Sequence, residues 1–268
     1  MKKQLDIELS PELEKFREKI EASVKPYIAI YAKEKNDIAL WDSKFGGLPY
    51  LPTDYDYPTG IDGQPLFLLA QINFSNFPNL EGFPNTGILQ FYISGSDADT
   101  DLWGANFDDP NKQDGFRIIY FPTITKIEAD LVTDFSFLPK PENLPFSKYC
   151  SLQFEKKIAP VGIADYKFNE LFGADFFNQF GVKEDEIIDE YIDKFSSDGH
   201  KIGGYAFFTQ QDPRPVLIAD KEILLLQIDT DDEADIMWGD SGICNFFISQ
   251  ADLDNLDFSK VAYNWDCC

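Results

Sequence analysis

Apolar residues recur along this chain with two periods. Leu13, Phe16, Ile20 and Val24 stand at helical spacing behind Ser10-Pro11-Glu12, a hydroxyl cap followed by proline and acid, and Pro26 ends the run. A second helix is predicted over Glu184–Phe195, where Ile187, Ile188, Tyr191, Ile192 and Phe195 share one face. Ser196-Ser197-Asp198-Gly199 follows, with glycine suited to a left-handed C′ position. Elsewhere the runs are short and strand-like: Leu66–Phe74, apolar on both faces and so buried, then Ile88–Ser94 and Phe116–Phe121, with Ile124–Leu131 as another. Tyr27–Ala32 and Ile38–Trp41, split by Lys33–Asp37, read as a hairpin. Pro49–Pro58 cannot be a central strand. Pro139–Pro145 reads as a connector.

The strand pattern occurs twice. Lys44-Phe45-Gly46-Gly47 returns as Lys201-Ile202-Gly203-Gly204, and Phe67–Asn73 returns as Ile223–Asp229. Gly87–Ser94 returns as Gly242–Ser249 with five of eight positions identical. Arg117–Tyr120 matches Lys260–Tyr263 if the first copy carries about a dozen extra residues. The expectation is an α+β, β-rich fold: two internally duplicated helix-plus-antiparallel-sheet units forming one pseudo-twofold globule. One domain would span 1–268, with copy one over about 27–131, a connector over about 132–183 and copy two over about 184–268. The aromatic-rich segment Phe168–Phe180 in that connector needs somewhere to pack, which predicts one shared core. The run Tyr263-Asn264-Trp265-Asp266, continuing the last repeat block, is expected to be buried.

Composition adds a charge of −24, from 47 acidic and 23 basic residues. Basic residues cluster only at Lys2-Lys3 and Lys156-Lys157, so neither nucleic acid nor an anionic membrane is an expected partner. The acidity serves solubility, and it also suits a cationic protein or a metal ion. A basic pair without an apolar run behind it is no secretory leader, no run is long enough to span a membrane, and Cys150, Cys244, Cys267 and Cys268 form no disulfide framework. The expected location is cytoplasmic.

Few residues suggest chemistry. Gly239-Asp240-Ser241-Gly242 looks like a protease nucleophile loop, but His200 is the chain's one imidazole, and Asn85-Thr86-Gly87 holds the equivalent place. Both segments read as turns that launch a strand. His200 is expected to cap backbone carbonyls, and Cys244 to fill the core. Asp97, Asp99 and Asp101 have the alternating oxygens of a calcium loop without its glycine or its closing glutamate. Asp229, Asp231 and Asp235, with Asp232 and Asp240, form a second acidic cluster around Trp238. Either cluster is a candidate for calcium or magnesium, or is simply solvated; no other cofactor is indicated.

His200–Tyr205, Gln210–Arg214, Leu224–Asp229, Met237–Gly242 and Tyr263–Cys267, with Ser43–Pro52 and Leu66–Asn73, closely resemble the YwqG-like family of bacterial proteins. The resemblance runs from about residue 25 onward. It implies a cytoplasmic, internally duplicated α+β protein and carries no assigned activity or catalytic residue.

Two functions are therefore expected. The first is a non-catalytic interaction protein that neutralises a basic partner such as a toxin, anchored by Trp238 beside Asp240 and Ser241. The alternative is an enzyme or small-ligand binder, with or without a metal's assistance, with a cleft between the copies. That cleft would use the polar residues within apolar strands, Gln71 and Gln227, and the loop residues Asp212 and Arg214. The lack of a usual acid–base set favours the first.

Overall fold

The computed structural model describes residues 5–95 and 102–268. Its centre is a ten-stranded antiparallel sheet curled into a half-barrel, with strand order β10-β9-β8-β7-β1-β6-β2-β3-β4-β5. The strands are β1 (Lys25–Glu34), β2 (Lys44–Phe45), β3 (Phe67–Asn73), β4 (Ile88–Ile93), β5 (Phe116–Phe121), β6 (Cys150–Ala159), β7 (Lys201–Gly203), β8 (Ile223–Asp229), β9 (Ile243–Ile248) and β10 (Ala262–Asp266). The run β2-β3-β4-β5 fills one end of the order and β7-β8-β9-β10 the other, with β1 and β6 paired over their full length between them.

The two ends share local geometry. Lys44 lies opposite Gln71, and Lys201 opposite Gln227. The β3–β4 ladder slips register between Leu68 and Ala70, and the β8–β9 ladder slips between Leu224 and Leu226. Gly46 and Gly203 leave their short strands at φ +64° and +73°, where a Cβ would strike Phe146 or Leu80. Glycine suits that left-handed turn because it has no Cβ to clash.

One core runs through both ends. Phe91 of β4 meets Phe246 of β9 at 4.9 Å, and Phe116 and Phe246 both meet Tyr263. The extra residues of the first end cross to the second. Trp103, at φ 51°, reaches Trp265 at 4.9 Å and Trp238 at 5.3 Å, and the Trp265 indole N–H donates to Leu102 O. Of the run expected to be buried, Tyr263, Asn264 and Trp265 are buried in β10 and Asp266 is half-buried.

Five expectations need correction. Ile124–Leu131 is no strand; it holds a 3-10 turn over Glu128–Asp130, and only Leu131 bridges, to Pro52. No hairpin joins Tyr27–Ala32 to Ile38–Trp41: β1 pairs with β6 and β7, and Ala39, Leu40, Trp41 and Asp42 offer their carbonyls to side chains instead. The helices do not divide one to each half. Pro11–Glu14, Arg17–Ala22, Lys167–Phe172 and Glu184–Phe195 gather into a separate aromatic core, in which Phe168, Phe176, Tyr191 and Phe195 meet edge to face and cluster with Leu13 and Ile20. The segment 132–183 is more than a connector, since it supplies β6 to the middle of the sheet. Gly199 has a positive φ of 79° but lies beyond Ser196, which is where the helix ends.

Candidate functional site

Gln71 and Gln227 stand in apolar strands because each holds a loop against the sheet. The Gln71 amide donates to Leu40 O and Asp42 O at 2.7 Å, and its oxygen accepts from Tyr50 N–H and the Gln90 amide. The Gln227 amide donates to Ser197 O and Gly199 O, and its oxygen accepts from Phe207 N–H. Both side chains are fully buried, and their capacity is met by backbone that would otherwise be buried unpaired. They do not line a cleft. Where the ends meet, Phe91, Phe246 and the three indoles fill the interior.

Two buried lysines accompany these glutamines. Lys44 Nζ donates to Ala39 O, Leu40 O and Leu48 O, and Lys201 Nζ donates to Ser197 O. Burial brings Lys44 down to about 8 and Lys201 down to about 7 from the usual 10.5. The signal for them was the lysine repeated before each double glycine.

Asp212 and Arg214 are not a binding loop. Arg214 is 3% exposed and donates through Nη2 to Asp212 at 2.6 Å and to Asp165 at 2.7 Å. Its guanidinium lies 4.7 Å from the Tyr166 ring and 4.6 Å from Phe247. The carboxylates also accept from backbone N–H groups of Tyr166, Lys167 and Ala206. Asp165 had no distinguishing mark in the sequence.

The second acidic cluster is likewise engaged. His200 Nδ1 accepts from Asp229 N–H at 2.9 Å, which leaves Nε2 to donate to Asp231 at 3.1 Å. The ring thus takes an N–H and a carboxylate, where backbone carbonyls were expected. The His200 hydrogen bond holds Asp231 down to about 2, and burial raises Asp229 from its ordinary value. Asp229 accepts from Gly199 and Thr230 N–H, Asp231 also from Glu233 and Ala234 N–H, and Asp235 from the Ser147 hydroxyl. Among the described residues no group of three or more His, Cys, Asp or Glu side chains could hold a metal ion. Asp97, Asp99 and Asp101 lie outside the described residues.

Asp240 and Ser241 are exposed on the turn that launches β9, where Ser241 has φ 57°. Trp238 is not exposed with them. It is fully buried between Trp103 and Trp265, so its ring has no face to offer a partner. Trp238→Phe should therefore lower stability by about 1–3 kcal/mol through lost packing. Urea titration reads that loss, and an unchanged midpoint would remove Trp238 from the core.

The open concavities lie elsewhere. One, about 720 Å³, has a floor of Leu66, Phe67 and Leu102 and a rim of Asp62, Asp108, Asp114 and Glu142 with Lys112 and Lys140. Lys112 is tied to Asp114 at 2.7 Å. Two smaller concavities of about 370 and 480 Å³ flank β5 and share Tyr55, Arg117, Ile118 and Ile119. Neither sequence period nor motif pointed to these surfaces, because loops distant in the chain create them.

The chain belongs to the family described as a domain of unknown function, DUF1963, whose model matches residues 43–267. No curated protein matches it. Among the described residues no helix is long and apolar enough to cross a membrane.

Proposed function

We propose that the protein is a non-catalytic interaction module that takes a basic partner protein in the cytoplasm, and that it belongs to the YwqG-like group of bacterial proteins. One observation carries the reading: an open concavity of about 720 Å³ has an apolar floor with a rim richer in carboxylates than in amines. His200, Arg214, Lys44 and Lys201 are all buried and bonded within the protein. The −24 charge supplies long-range attraction for a cationic partner. The matched registers at the two ends of the sheet support descent from an internal duplication, which would explain why Lys44 and Gln71 are repeated as Lys201 and Gln227.

The size of that concavity favours a second reading, a small-ligand binder, since about 300–1,000 Å³ is the usual range for such sites. A pull-down from the native host at low salt separates the two. The expected result is a basic protein that associates about tenfold more slowly when salt rises from 50 to 500 mM, and that is lost on Asp62→Lys with Asp108→Lys. Recovery of a small molecule and no basic protein would transfer the site to the second reading.

A further inference from the structure

Strand β5 ends the sheet and is paired on one side only, with β4. Ile118 N–H points away from β4, since it donates to the Gln113 side-chain oxygen at 3.0 Å. In an antiparallel ladder alternate residues face alternate sides, so Phe116, Ile118 and Tyr120 all turn their backbone N–H and C=O outward. An edge of this kind is a template for another strand unless something covers it.

The edge lies at the bottom of a trough. The two concavities that share Tyr55, Arg117, Ile118 and Ile119 join along β5, between the segment 54–59 and the segment 256–259. Tyr55 and Leu256 leave 45% and 43% of their surface exposed on the two walls. Gln113 occupies part of the trough as a stand-in for a peptide group. Its carboxamide oxygen accepts from Ile118 N–H, and its nitrogen donates to Phe258 O at 2.9 Å. A strand laid along β5 would take over the first of these bonds, at Ile118 N–H, and would donate to Ile118 O in place of Phe258 O.

We infer that β5 is a docking edge which accepts an extended, basic segment of a partner protein as an eleventh strand. This rests on the interaction reading above and names its mode. Charge selects the occupant. Asp54 and Asp56 stand in one wall, with the guanidinium of Arg117 beside them. That guanidinium is engaged, with Nη2 donating to Thr59 O and Gln113 O. A second copy of this chain would bring its own −24 charge to the same edge, so like-charge repulsion disfavours self-pairing. Main-chain bonds would supply affinity and alternate side chains specificity, as in other strand-addition complexes.

The test uses the full chain and three labelled octapeptides: alternating lysine and valine, alternating glutamate and valine, and alternating lysine and proline. Fluorescence anisotropy should show the lysine–valine peptide binding at least tenfold more tightly than the other two. Tyr120→Pro removes an outward N–H at an edge position that tolerates proline, and it should weaken that peptide about tenfold. Gln113→Ala vacates the trough and should tighten it a few-fold. Amide exchange at Ile118 and Tyr120 in the unaltered protein should slow on binding, a readout that survives if the proline variant fails to fold. Equal binding of the lysine–proline peptide would leave the charge reading standing and overturn strand addition. No binding by either lysine peptide would count against both. A dimer abolished by Tyr120→Pro would assign the edge to self-pairing and overturn the basic-partner inference.

Discussion

Arg214→Met should destabilise the protein by about 3–5 kcal/mol at pH 7, the cost of leaving a buried charge uncompensated. Arg214 carries the positive charge between Asp165 and Asp212, whose side chains are 1% and 5% exposed. Methionine preserves much of the volume between the rings of Tyr166 and Phe247, so the loss is chiefly electrostatic. Two buried carboxylates would then face each other, and one would have to take up a proton. The sign of the pH effect follows. In the variant a carboxyl raised above its unfolded value binds more protons in the folded state, so stability rises as pH falls towards that value. Asp165→Asn should cost less, about 1–2 kcal/mol, because Asp212 still neutralises the guanidinium. Urea titration of both variants at pH 7 and pH 5 measures the order. Equal losses for the two, or a loss for Arg214→Met that ignores pH, would show that the triad is not held by charge.

Much of the sheet was legible because its strands have strong local periods. β3, β4, β5, β8 and β9 each fall where short apolar runs predicted them, and Glu184–Phe195 is the helix its spacing required. β6 was not legible. Its sequence runs Glu155, Lys156 and Lys157 in succession, which breaks the alternation of a strand and hides it although it lies mid-sheet. Ile38–Trp41 erred the other way. It is apolar enough for a strand, but its neighbouring carbonyls are taken by Lys44, Gln71 and Asn73, so no partner strand is needed. The candidate site was misread for a related reason. The turn residues Asp240 and Ser241 suggested that Trp238 was exposed, whereas the indole turns under the loop to meet Trp103, which comes from the other end of the sheet. Pairings between distant segments decide such cases, and no local window contains them. Asp165 beside Arg214, and Leu256 across from Tyr55, are of the same kind.

Stability should rise by about 2 kcal/mol between pH 7 and pH 8.5, an unusual direction for so acidic a protein. The groups that cause it are Lys201 and Lys44, which fold with values of about 7 and about 8 against 10.5 for an ordinary lysine. Burial is the first cause for both, because the charged ammonium loses water and gains mainly carbonyl partners. Between pH 7 and 8.5 the unfolded chain keeps both protons while the folded chain gives them up. The unfolded state then binds more protons, and linkage makes folding more favourable as pH rises. The window closes near pH 9, where thiols with values raised by burial, Cys150 and Cys244, begin to act in the opposite sense. Above pH 10 the buried tyrosines join them, Tyr205 among these at about 12. Urea titrations at half-unit steps measure the rise, and Lys201→Met should remove more than half of it. A flat profile in the unaltered protein would mean that both ammonium groups stay charged in the fold, held there by the carbonyls of residues 39, 40, 48 and 197.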